Sequence, residues 1–121
     1  MNPLLIKSHY AAEEVKPYRV VAFVSGGVAT ANGATQPVAG VSESLGCNPG
    51  GMADVIQVGL AEIEAGSSLA AGDPVVADAT GRAVKAAAVA GQALHVVGFI
   101  QSDAAEGDIV PVLVSPSLLA G

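Results

Sequence analysis

The chain has 121 residues, one domain's worth, and a single cysteine, so an intrachain disulfide is excluded and no oxidising compartment is implied. Its net charge is −6 and its five basic residues, Lys7, Lys16, Arg19, Arg82 and Lys85, are scattered, which argues against nucleic acid as a direct partner because phosphate-backbone binding needs clustered cations. Only 13% of residues are charged while 51% are hydrophobic, against about 25% charged in an ordinary soluble domain, and such a surface is easier to understand if neighbouring protein covers part of it.

In chain order, residues 1–17 read as an N-terminal arm, with an edge strand of the domain as the alternative. Within it Leu4, Leu5 and Ile6 form an apolar patch too short for a signal peptide or membrane span. No basic amphipathic helix suggests a membrane surface either. Residues 18–121 read as one β-rich domain. The run 18–25 is strongly β-prone and ends at the Gly26-Gly27 turn; 28–37 reads as a loop with one weak strand, and 38–41 as a short strand. A glycine-rich exposed loop spans 42–52.

The clearest strand is 54–64, where Ile56, Val58 and Leu60 alternate onto one face before the parity flips at Ile63. Continued strictly, that alternation would drive Glu62 and Glu64 into the core, so a bulge or bend near Gly59 is expected. Pro74 opens the next strand, and Asp78-Ala79-Thr80-Gly81 is a tight turn joining 75–77 to 82–85 as a hairpin. The Ala-rich stretch 86–94 has room for a helical turn; 95–101 and 108–115 are strands separated by a capped turn, with Pro111 suggesting an edge position or a bulge. A faint echo links Ala70-Ala71-Gly72-Asp73-Pro74-Val75-Val76 to Ala105-Glu106-Gly107-Asp108-Ile109-Val110: each sets Gly-Asp before a strand. About seven or eight short strands between glycine-rich turns predict an all-β chain, a small β-barrel or β-clip-like sandwich with an extended N-terminal arm.

Catalytic chemistry finds little purchase. The Gly-x-x-x-x-Gly-Lys phosphate loop and the Gly-x-Gly-x-x-Gly spacing are missing. Gly66-Ser67-Ser68 and Gly40-Val41-Ser42 lack the second glycine of a nucleophile elbow. His9 lies in the arm and His95 opens an apolar strand, where a hydrogen-bonded structural histidine is the commoner case. One cysteine and two distant histidines do not make a zinc set. Glu62 and Glu64 share a face, but paired carboxylates on a strand are far more often solvated than catalytic. The expectation is a non-enzyme with no cofactor and no metal.

The segments 65–84 and 97–112, with Leu69-Ala70-Ala71-Gly72-Asp73-Pro74-Val75, the turn 78–81 and Gly107-Asp108-Ile109-Val110, resemble the capsid decoration (head cement) proteins of tailed bacteriophages. The resemblance covers the C-terminal half well and the N-terminal half loosely, and against it the loop Gly46 to Gly51 looks like an insertion. It implies a homotrimer, or a dimer, seated on the outer capsid surface of a virion assembled in the host cytoplasm. There it would stabilise the lattice by bridging major capsid subunits. In that setting the arm residues Asn2, Pro3, Leu4, Leu5 and Ile6 are the expected capsid contacts. The alternative is a small-ligand or carbohydrate-binding β-barrel module displayed on a particle.

Overall fold

The computed structural model describes residues 3–87, 91 and 93–120. The described residues form nine strands and no helix: β1 (Pro3–Tyr10), β2 (Val20–Val24), β3 (Gly27–Thr30), β4 (Val38–Ser42), β5 (Met52–Glu64), β6 (Pro74–Ala77), β7 (Ala83–Lys85), β8 (Ala93–Ile100) and β9 (Ile109–Ala120). They hydrogen-bond in the order β3-β2-β4-β5-β9-β8-β6-β7, with β1 also on β5, and every pair of named strands is antiparallel. The all-β expectation holds. The stretch 86–94 falls partly on residues 88–90 and 92, outside the described residues, and Ala93 already begins β8.

This order contains one pattern used twice. In the first half β1 pairs β5, β2 pairs β3 and β4, and β4 pairs β5. In the second half β5 pairs β9, β6 pairs β7 and β8, and β8 pairs β9. The chain is thus two tandem copies of a five-strand unit that share β5, the last strand of one and the first of the next.

The connecting turns repeat as well. Val15 and Cys47 exchange two backbone hydrogen bonds of 2.8 and 2.7 Å; Leu69 and Ala104 do the same at 2.9 and 2.9 Å. Gly50 N–H donates to Ala11 C=O, as Gly107 N–H does to Ala65 C=O. The loop at Gly46 to Gly51, which looked like an insertion, is therefore the first repeat's version of the turn before β9. The echo seen in the sequence is the same device within the second repeat. The Asp73 carboxylate accepts from Ala70 N–H at 3.0 Å, the Asp108 carboxylate from Ala105 N–H at 2.9 Å, and Gly72 and Gly107 both have φ +92.

The expected bend in β5 is present. Ile56 packs in the same core cluster as Ala61 and Ile63, an odd spacing that unbroken alternation forbids. Between them Gly59 takes φ +108, and the β1–β5 register shifts beside it. Val58 and Leu60 do not reach the core; they turn outward with Glu62. The main core joins Val20, Val41 and Ile56 of the first repeat to Ile63, Val75, Val97, Val112 and Val114 of the second. A second cluster, including Ala11, Val15, Val21, Val28 and Val55, lies inside the first repeat alone. Pro111 lies in the interior of the sheet rather than at an edge. Its carbonyl accepts from Gln101 N–H at 3.0 Å, one residue past the end of β8, so the missing proline N–H faces a position the ladder has left.

Candidate functional site

The two phenylalanines and two tyrosines are the chain's only aromatics, and none of them is buried. Burying an aromatic side chain is among the largest single gains open to a small core. A core built from Val, Ala, Ile and Leu that leaves both phenylalanines about two-fifths exposed places its strongest apolar anchors at the surface.

Cross-strand partners in an antiparallel sheet point to the same face, so the ladder sorts these residues. Leu60 pairs Leu113, Leu113 pairs Phe99, and Phe99 pairs Pro74, which sets one row across β5, β9, β8 and β6. The neighbouring row, Ala61, Val112 and Ile100, is fully buried in the core. The first row therefore faces outward, with Phe99 40% and Leu113 39% exposed and Leu60 and Pro74 half-buried. The loop carrying Ala34 covers the Val76–Val96 end of this face and leaves the row itself open.

Glu64, at the end of β5, holds both of the chain's arginines. Its carboxylate lies 3.2 Å from Arg19 Nη2 and 3.4 Å from Arg82 Nη1. Arg19 Nη1 donates to Thr80 C=O at 2.8 Å, and Arg82 also meets Asp78 and Glu106, each at 3.6 Å. The Asp78 carboxylate accepts from Thr80 N–H, Thr80 Oγ and Arg82 N–H at 2.8–2.9 Å. Burial pushes that carboxyl up, but these donors and the Arg82 charge outweigh it and hold it below the usual carboxylate range. Desolvation likewise opposes the Arg82 charge, and its acidic partners overcome this and raise its pKa. This network ties the first repeat (Arg19) to the second (Asp78, Arg82, Glu106) through the shared strand. Most of its donors and acceptors are spent on one another and on the turn, while Arg19 Nε is buried without a hydrogen-bond partner among the described residues.

The other sequence-predicted residues fall in separate places. Asn2 lies outside the described residues; Pro3 and Leu4 are in the β1 backbone, and Leu5 and Ile6 are each 43% exposed. The first part of the expected arm is thus paired to β5 over most of its length. His9 takes a hydrogen bond from the Gln57 amide at 3.1 Å and packs edge-on against Phe23, the ring centroids 5.6 Å apart. His95 is on β8, with Pro116 and Leu118 beside a shallow hollow. Glu62 is exposed and, with Tyr18, Glu43 and Ser44, lines an open cleft of about 250 Å³. Among the described residues, no group of three or more His, Cys, Asp or Glu is placed to hold a metal ion.

The outward row was missed in the sequence because Phe99 and Leu113 lie in strands apolar on both sides, so periodicity alone cannot say which face is covered.

No family model and no curated protein sequence matches the chain. Among solved structures it is similar to the crystal structure of the head fiber gp8.5 N base of bacteriophage phi29, with a TM-score of 0.70 and 21% sequence identity. The match covers 97% of this chain and 98% of that one, so it spans both repeats. The chain therefore shares the fold of a phage head-fiber base.

Proposed function

We propose that this chain is a structural protein of a tailed-phage virion, one that binds the outer capsid surface and stabilises the lattice by bridging major capsid subunits. The carrying observation is the likeness to a head-fiber base along essentially the whole chain. The charge-poor composition and the outward apolar row fit a protein whose surface is meant to be covered. The role is structural rather than catalytic, and the partners are the major capsid protein and further copies of the chain, as a trimer on the resemblance.

Binding only to the expanded lattice would stabilise it by mass action. The capsid contact is the start of the chain, Asn2, Pro3, Leu4, Leu5 and Ile6. Leu5 and Ile6 still have more than two-fifths of their surface to bury. Full burial of a large apolar side chain is worth about 1.5–3 kcal/mol.

The test is sedimentation of purified protein with undecorated, expanded capsids. Saturable co-sedimentation is expected, weakened at least about tenfold by Leu5→Asp with Ile6→Asp, since losing two such contacts exceeds 1.4 kcal/mol. Protein left in the supernatant near saturation would rule the reading out.

A further inference from the structure

The two repeats differ in what covers them. Take the row that starts on the first strand of each repeat and crosses to its last, fourth and second strands. In the first repeat it is Ile6, Ile56, Val41 and Val20, linked by ladder partners. In the second it is Leu60, Leu113, Phe99 and Pro74. Three of the four residues in the first row are buried in the main core, packed with Ala61, Ile63, Val97 and Val114 of the second repeat. What covers that face of the first repeat is another repeat of the same kind. Among the described residues, the corresponding face of the second repeat has nothing on it beyond the loop at Ala34.

We propose that the outward row Leu60, Leu113, Phe99 and Pro74 is the docking face for a second copy of this chain. Three observations favour that occupant. The face continues an interface already made within the chain, where one repeat caps the equivalent row of the other. The row carries no charge, so a partner with the same net charge of −6 can approach without setting acid on acid at its centre; Glu62 falls on the adjoining outward row and would lie at the rim. Phe99 lies in the middle of the row, flanked by Leu113 and Pro74, the central aromatic-anchor arrangement that dominates protein–protein contacts. The inference rests on the reading of this chain as an assembly protein and names the surface by which its copies meet.

The experiment is analytical ultracentrifugation of the purified full chain without capsids, beside Phe99→Lys with Leu113→Lys and beside Leu118→Lys, an exposed residue of β9 outside the row. The wild type and Leu118→Lys should sediment as the same oligomer. The double variant should sediment as a monomer with an unchanged circular dichroism spectrum, its dissociation constant raised roughly 30-fold or more, as for loss of a central anchor. If lysine at these positions prevents folding, Phe99→Thr with Leu113→Thr keeps strand-forming residues in the ladder and gives the same readout.

A wild type that stays monomeric to high micromolar concentration overturns the proposal, as does a folded double variant that remains oligomeric. A monomer that binds capsids and loses binding on Phe99→Lys would assign the face to the capsid instead. That outcome refutes the second copy and leaves the virion reading standing, whereas an oligomer that never binds capsids does the reverse.

Discussion

Tyr18 is the only described non-glycine residue with positive φ, at +56, and it stands where the second repeat has Gly72 at +92. Both positions end the turn that leads into the second strand of their repeat. A β-branched residue cannot readily enter that region, and a Cβ at Gly72 would meet open space, so the cost of Gly72→Val is backbone strain alone. It should destabilise the chain by about 1–3 kcal/mol, read as a lower denaturant midpoint with an unchanged slope. An unchanged midpoint would mean that the turn is built differently. Glu64→Gln removes the carboxylate shared by Arg19 and Arg82, both only partly buried. A loss of about 1–2 kcal/mol is expected, between the values for exposed and buried ion pairs, and thermal unfolding should show it.

Asp78 gives the acid dependence. Its folded pKa lies below its unfolded value of 3.8, so its contribution is fully present above about pH 4 and is lost as pH falls through the lower folded value. Asp78→Asn should therefore be less stable than wild type at neutral pH, and the gap should close on acidification below pH 4. A gap that widened toward low pH would contradict the assignment. Turn chemistry of this kind was legible in the sequence, because Asp before Thr-Gly and Gly-Asp before a strand act through neighbouring backbone. The Glu64 network was not legible: its members are far apart in the chain, and Glu62 and Glu64 look alike until the fold separates them.

At the scale of the strand, the bend in β5 could be predicted because unbroken alternation would have buried two carboxylates. The tandem repeat could not. Its two copies share turns and register rather than residues, so Tyr18 stands for Gly72 and Cys47 for Ala104. One correspondence is nearly identical. Gly40 of β4 and Gly98 of β8 occupy equivalent places, and a Cβ at either would overlap a backbone carbonyl oxygen, Ile56 in one case and Leu113 in the other. These glycines let the fourth strand lie against the last. Gly98→Ala should cost more than Gly72→Ala, because backbone cannot yield as a side-chain tip can. Equal midpoints for the two variants would show that the close approach relaxes freely.

For the whole molecule, sparse charge pointed to a covered surface, and the fold locates two places to cover: the exposed side chains of β1 and the outward row of the second repeat. The first was visible in the sequence as the patch at Leu4, Leu5 and Ile6. The second needed the ladder, since only cross-strand pairing sets Phe99 beside Leu113 on the outer face. On the proposed reading, the first would be the face for the shell and the second the face for a neighbouring copy. Imaging expanded capsids incubated with this protein by electron cryo-microscopy tests that account most directly. It predicts added density on the outer surface, straddling contacts between major capsid subunits, with the β1 end toward the shell. Bare shells at saturating protein, or density confined within single subunits, would contradict it.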